Sequence, residues 1–362
     1  MTRRHVALCV IARDEASRIA RLLDSVAPWV DTMLVLDAGS CDDTSAIARR
    51  CGARVETFAW CDDFSAARNA ALELMPADWH LVLDADEWLI AGGEALRALR
   101  DTPPNFVGAL QLIDHTQTRE AALVHSWLSR VLPGTLRYAG RVHEQPQHSL
   151  PVRRLPLQVG HDGYTPLRLA AKRGRNRHLL QAELAEHRED AYCWYQLGKD
   201  HDVYGEHPDA VQAFFQADTL CTGTEPWRFD LATRPLFALK KAGRHDEGLQ
   251  QAQASLERCA GSPDFHFALG DLLLDWATSD PARGAELLPM AQSAWTRCLE
   301  IGERPDLSGS VQGRGSYLAA HNLAVILECL GLTAEGALLR GRYPVPDASS
   351  VQALLTLLGD LR

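Results

Sequence analysis

The sequence predicts two folded regions: an α/β domain on a mostly parallel sheet, followed by an all-helical domain of repeats. Three observations carry this. Apolar strand-like runs alternate with helix-like segments as far as Leu83, the pattern of a parallel sheet covered by helices. From about His178 onward the texture is helical throughout, with small and aromatic residues at the spacing of paired helices. Between them, in "WHLVLDADEWL" (Trp79–Leu89), Leu81, Val82 and Leu83 run straight into Asp84, Ala85, Asp86 and Glu87. A buried strand that ends in three carboxylates is either a solvated acidic turn or a place where positive charge is received.

Taken in order, "HVALCVIA" reads as a first strand, and Ser17–Val26 as a helix with Ile19, Leu22, Leu23 and Val26 at helical spacing. "TMLVLD" is a second strand, and "AGSCDDT" supplies a Gly turn and capping side chains before a helix from Thr44 to Cys51, closed by Gly52. Val55–Phe58 is a short third strand, Phe64–Met75 a helix stopped by Pro76, and His80–Leu83 a fourth strand. Open sheets of this kind bind ligands beyond the carboxyl ends of their strands, which places Asp37 near Asp84 and Asp86. At the two-residue period of a strand, Asp84 and Asp86 point to the same side. Residues 100–165 mix strand-like pieces with Pro and Gly and form the second half of this domain.

In "WYQLGKDHDVYGEHPDAVQAFFQA", Trp194, Leu197, Gly198, Gly205, Ala210, Phe214 and Ala217 fall on the ~34-residue tetratricopeptide spacing. Weaker echoes follow at "ALKKAGRHDEGLQQA", "FHFALGDLLLDW…AWTRCLE" and "HNLAVILECLGLTAEGALL". The expected domains are residues 1–170 and 171–362, the second a linker helix and a short solenoid with a concave surface.

The chain of 362 residues suits about two domains of ~150 residues each. It is 46% apolar and 23% charged, which allows ordinary cores, and its net charge of −10 argues against a nucleic-acid-binding surface. One basic cluster, Arg168, Lys172, Arg173, Arg175 and Arg177, is the exception. Nine scattered cysteines without a CxxC pair argue against zinc or a disulfide framework and suit a reducing cytoplasm. The N-terminal apolar run is broken by Arg13, Asp14 and Glu15, so it reads as a strand rather than a leader. No segment approaches the ~20 apolar residues of a membrane span.

Two nucleotide chemistries fit an acidic strand end. A dinucleotide-binding oxidoreductase needs a glycine-rich turn after its first strand, and "VIARDEASRI" has no glycine there; a Walker loop is absent as well. The other is a site where Mg²⁺ or Mn²⁺, held by carboxylates, neutralises a diphosphate.

The motifs "LDAGSCDDT", "DDFSAARNAAL", "DWHLVLDADEWL", "YAGRVHEQP" and "HDGY", in this order, resemble the family-two glycosyltransferases of GT-A fold. The resemblance is to the bacterial subgroup with C-terminal tetratricopeptide repeats, which includes peptide S-glycosyltransferases of glycocin pathways. It covers nearly the whole chain, with one departure at "VIARDEA", where the subgroup has an Asn-Glu-Glu run. It implies a cytoplasmic, metal-dependent, inverting transfer of a sugar from a nucleotide-diphosphate sugar, a UDP-sugar foremost. The implied acceptor is a hydroxyl or thiol on a peptide, protein or glycan, and the repeats offer a surface for that acceptor or for a second copy in a homodimer. Donor contacts fall on Ala12, Arg13, Glu15, Asp37, Arg68, Asp84 and Ala85. Asp86 and His161 hold Mn²⁺ or Mg²⁺, with Asp84 at the ribose or the metal's water shell. Glu144 is the general base and His143 orients it or meets substrate.

Each residue also has a plainer role. Asp84 and Asp86 fit a solvated turn, Asp37 a helix cap, Arg68 a surface salt bridge to Glu73 or Asp62, His143 and Glu144 an isolated pair facing water, and His161 a cap. Arg130, Lys172, Arg173 and Arg175 either clamp the diphosphate or solvate a linker helix. The rival to an enzyme is a repeat scaffold whose first domain has lost catalysis and binds only a partner or a nucleotide.

Overall fold

The computed structural model describes residues 3–115, 123–161 and 174–346. Two compact units divide the chain, with the main break between Leu179 and Leu180.

The first unit opens with β1 (Val6–Ala12), α1 (Ile19–Val26), β2 (Thr32–Asp37), α2 (Thr44–Arg50), β3 (Arg54–Thr57), α3 (Phe64–Leu74) and β4 (Trp79–Asp84). These are the predicted strands and helices, shifted by a residue or two at their ends. There follow β5 (Glu87–Ala91), α4 (Gly93–Ala98), β6 (Val107–His115), β7 (Leu123–Pro133), β8 (Arg137–Ala139), β9 (Gln145–Gln147) and β10 (Val152–His161). The main sheet runs β3-β2-β1-β4-β7-β6-β10-β5, and β8 and β9 form a separate hairpin. β1 to β4 are mutually parallel where they pair, whereas β7 joins β4 antiparallel and β10 lies parallel to β6 and antiparallel to β5. The sheet is therefore parallel in its first half and mixed in its second, the half in which the sequence showed only strand-like fragments.

Alternation explains why β1 lies at the centre. Val6, Leu8 and Val10 pack with Ile19, Leu22, Leu23 and Val26 of α1 on one face. Ala7 and Cys9 pack with Ala67, Ala71 and Leu72 of α3 on the other. Both faces of the strand are apolar, as a sheet covered by helices on both sides requires. The register sets Ile11 beside Asp84 and Ala12 beside Asp37, so the acids that end β2 and β4 share one edge of the sheet.

The second unit is helical: α5 (Arg175–Glu186) leads into α6 (Ala191–Val203), α7 (His207–Leu220), α8 (Arg228–Lys241), α9 (His245–Ser255), α10 (Pro263–Ser279), α11 (Gly284–Ile301), α12 (Tyr317–Cys329) and α13 (Thr333–Arg342). α6 packs on α7, α8 on α9, α10 on α11 and α12 on α13, the helix pairs that the first repeat and its three echoes predicted. Small residues permit the close approach: a Cβ on Gly198 would lie 2.5 Å from the Phe214 ring, and one on Gly270 would lie 2.6 Å from the Trp295 indole nitrogen. The seam of the first pair differs in one respect from expectation. Tyr195, stacked on Trp227 with centroids 4.7 Å apart, is buried with Ala210, Phe214 and Ala217, while Trp194 is only partly covered. No helix among the described residues is long and apolar enough to cross a membrane, and the nine cysteines are unpaired thiols.

Phe214 is fully buried in that seam. Phe214→Ala is expected to lower unfolding free energy by ~3–5 kcal/mol, the usual cost of emptying a buried phenylalanine site. Urea unfolding measures it, and a loss under about 1 kcal/mol would contradict the packing.

Candidate functional site

The acidic run at the end of β4 is not one continuous strand. Asp84 closes β4, Ala85 and Asp86 form a turn, and Glu87 opens β5. The turn breaks the two-residue period, so the strand argument for one shared side does not apply, and the two carboxylates meet different partners: arginines at Asp84 and His161 at Asp86. Glu87 closes the turn by accepting the Asp84 N–H at 2.8 Å.

Asp84 lies between two arginines. Arg68 Nη2 donates to one carboxylate oxygen at 2.6 Å and Arg130 Nη2 to the other at 2.9 Å. Arg68 also donates through Nε to Glu144, and Arg130 stands 3.6 Å from Glu87. An alternating chain results: Glu87, Arg130, Asp84, Arg68, Glu144. Burial works against charge on Asp84, but Arg68 and Arg130 outweigh it and hold its carboxyl far below the usual carboxylate range. Glu87, only 3% exposed, is pushed up to about 7 by burial, opposed by Arg130 and reinforced by Asp84. In the same corner Arg68 Nη1 and Tyr138 Oη are buried without a hydrogen-bond partner among the described residues.

α3 brings Arg68 to this place. Asp63 caps it by accepting the Ala66 N–H at 3.0 Å, and Ala67, Ala71 and Leu72 hold its inner face on the sheet. The surface-pair reading of Arg68 is thereby corrected, because the side chain is buried and its partners lie 16 and 76 residues away. Asp86, also buried, lies with its Oδ2 3.5 Å from His161 Nε2, because β10 pairs antiparallel with β5 and sets His161 opposite Glu87.

Of the remaining predicted residues, Ala12 and Asp37 lie at the same sheet edge, at the ends of β1 and β2, and His143 lies in the β8–β9 turn. Asp37 is buried and its carboxylate holds the following turn, accepting N–H bonds from Gly39 at 3.1 Å and Ser40 at 2.8 Å and the Ser45 hydroxyl. Burial opposes ionisation there, but these bonds prevail and keep its pKa below the ordinary value. The Glu15 N–H donates to the Thr44 hydroxyl at 2.8 Å, which stitches the loop after β1 to the start of α2. Ala12 and Ala85 are buried, and Arg13 is exposed. His143 is exposed and sits at φ 53 in the turn before Glu144. Asp162 and the rest of "HDGY", with Arg168, Lys172 and Arg173, lie outside the described residues.

Sequence reasoning left Arg130 open between clamping a diphosphate and solvating a linker helix. A signal for Arg130 was present: an arginine inside the apolar strand "SWLSRVL" needs a buried counter-charge.

With this geometry in hand, comparison with known proteins places the domain. Residues 7–131 match glycosyl transferase family 2. A TPR repeat-containing protein of Synechococcus elongatus is 38% identical over 273 residues, covering 70% of this chain and 66% of that protein. The SPbeta prophage-derived glycosyltransferase SunS of Bacillus subtilis is 27% identical over 213 residues, 56% of this chain and 50% of that protein. An uncharacterized glycosyltransferase of Rickettsia felis is 42% identical over 80 residues, 22% of this chain and 28% of that protein. The chain thus spans less than two thirds of the length of these relatives. Among solved structures, glucosyl-3-phosphoglycerate synthase from Mycobacterium tuberculosis, in complex with Mn²⁺, uridine diphosphate and glucosyl-3-phosphoglycerate, overlaps 31% of this chain and 44% of that one. The identity is 24% and the TM-score 0.26, an overlap too partial to bear on chemistry. The first unit is a GT-A-like domain that is similar to glycosyl transferase family 2 over residues 7–131, and the second is a set of tetratricopeptide-type helices.

Arg68 and Glu144 form a buried ion pair, 5% and 7% exposed. Arg68→Met leaves Glu144 without its counter-charge, so a loss of ~3–5 kcal/mol of stability is expected from breaking a buried pair. Denaturant unfolding reads this directly, and an unchanged midpoint would mean that Glu144 finds another partner.

Proposed function

We propose that this chain is a metal-dependent, inverting glycosyltransferase that moves a sugar from a nucleotide-diphosphate sugar, a UDP-sugar foremost, to a hydroxyl or thiol of a peptide, protein or glycan. The observation that supports it most is the pairing of Asp86 with His161 beside an Asp84 already neutralised by two arginines, within a family-two domain.

The donor set fits the cation. One carboxylate and one imidazole, 3.5 Å apart, suit Mn²⁺ or Mg²⁺ and leave further positions for diphosphate oxygens and water. Asp84 is the poorer ligand, since both of its oxygens are engaged by arginines. When bound, the cation neutralises charge that develops on the departing diphosphate.

The chain's own groups do the rest. Asp37 fixes the turn at the end of β2, against which the nucleoside rests. Arg68 and Arg130 hold Asp84 in place and keep the acidic edge from self-repulsion. The Glu144 oxygen that does not face Arg68 takes the proton from the acceptor atom as that atom attacks the anomeric carbon. Attack opposite the departing diphosphate inverts the anomeric centre in one displacement. The helical repeats hold the acceptor, or a second copy of the chain.

Asp86→Ala is expected to abolish transfer while circular dichroism and the unfolding midpoint stay near normal, because the residue sits in a turn at the sheet edge. Full metal-dependent turnover in that variant would sink the metal assignment. Glu144→Gln keeps the shape but cannot take the proton, so turnover should fall by ~10²–10⁴-fold with near-normal affinity for the metal–nucleotide complex. Calorimetry and UDP release separate the two effects, and a parallel loss of affinity would make Glu144 a donor contact.

A further inference from the structure

We infer that Asn69 sets where Glu144 stands, acting through the backbone of the β8–β9 hairpin; this rests on the reading of Glu144 as proton acceptor. The Asn69 side chain takes both backbone groups of one residue. Its Nδ2 donates to the Tyr138 carbonyl at 3.0 Å, and its Oδ1 accepts the Tyr138 N–H at 2.8 Å.

The hairpin itself explains why such a grip is needed. β8 and β9 pair Arg137 with Gln147, Tyr138 with Pro146 and Ala139 with Gln145. Opposed residues of an antiparallel ladder alternate between hydrogen-bonded and non-bonded pairs. Pro146 has no N–H to give, so Tyr138 belongs to the non-bonded pair and turns its N–H and C=O away from β9. Those two groups would be unsatisfied without Asn69. Three-residue strands do not hold a hairpin on their own.

The loop that this hairpin carries runs from Gly140, at φ 96, to His143, at φ 53, and ends at Glu144. α3 fastens it at three points. The Phe64 N–H donates to the Arg141 carbonyl at 2.8 Å, Arg68 meets the Glu144 carboxylate, and Asn69 holds Tyr138. Two of these ties are to backbone, and they fix the loop regardless of the charge on Glu144. An asparagine inside a helix gives up some helix propensity, and here its side chain is committed to the hairpin rather than to the helix. Asn69 is thus a positioning residue, and a displacement of ~1 Å at a reacting group is enough to lose ~10²-fold in rate.

The test uses the full chain with Asn69→Asp and Asn69→Ala. The aspartate keeps the acceptor for the Tyr138 N–H but sets a carboxylate oxygen against the Tyr138 carbonyl in place of the donor, and the alanine removes both bonds without adding charge. Amide exchange read by mass spectrometry over residues 137–147 is expected to quicken by about tenfold or more while α3 and β1 stay protected. Calorimetry should give Mn²⁺–UDP affinity within about threefold of wild type, and UDP release from whichever UDP-sugar the wild type turns over should fall by ~10–100-fold. In a Glu144→Gln background, Asn69→Ala should cost no further rate, because a residue that acts through Glu144 has nothing left to position. Unchanged exchange in the hairpin would overturn the inference, as would a matching loss of UDP affinity or an additive loss of rate on top of Glu144→Gln. If the wild type releases UDP from no sugar nucleotide, it is the proposed reaction that fails, and the exchange result alone then decides whether Asn69 holds the hairpin.

Discussion

A buried guanidinium with two carboxylates to satisfy is the constraint around which the first unit is built. Arg68 is 4% exposed, and a charge that deep is tolerated only when opposite charge and hydrogen bonds surround it. It finds Asp84 at the end of β4 and Glu144 beyond β8, while Arg130 on β7 takes the other side of Asp84 and reaches Glu87 at the start of β5. None of these partners is local to another except Asp84 and Glu87. The chain of charges is complete only when α3, three strands of the sheet and the hairpin turn are all in place.

Apolar burial and this charge chain do different work. Val6, Leu8 and Val10 on one face of β1, and Ala7 and Cys9 on the other, stabilise the layers. Such contacts tolerate exchange among similar side chains and do little to specify how the ends of the strands meet. The carboxylates and guanidiniums at the sheet edge are less forgiving, because losing one partner strands the other. The layers give the sheet its strength and the edge gives it an address.

Much of the first half of the fold was legible because each element follows one period and ends on a recognisable stop: Gly52 after α2 and Pro76 after α3. β5 was hidden, since its first residue is Glu87 and an acidic start does not look like a strand. β8 lies inside "LRYAGRV", which reads as a strand, whereas the three residues of β9 are too few to show a period. The repeat helices were legible through Gly198, Ala210 and Phe214, whose sizes are set by one close approach, although Tyr195 rather than Trp194 fills the seam. At the site, the sequence singled out Arg68, Asp84, Asp86, Glu144 and His161, and the structure joins Arg68 to Asp84 and Glu144 and sets Asp86 beside His161. The sequence could not say who meets whom, because Arg68 and Glu144 are 76 positions apart and charge pairing at that distance leaves no pattern along the chain.

The three acids of the run Asp84–Glu87 show why composition alone does not assign a role. They stand within four positions, yet the turn at Ala85–Asp86 sends each to a different environment. Asp84 is claimed twice over by arginines and is held ionised. Glu87 is turned inward, bonded to the Asp84 N–H, with its pKa carried up to about 7 by burial. Asp86 meets the imidazole of His161, its Oδ2 3.5 Å from Nε2. A strand continuing through Asp86 would have set two carboxylates side by side with no means of telling them apart. By ending β4 at Asp84, the chain separates the acid held between two arginines from the acid that meets His161. The mechanism proposed here needs that separation.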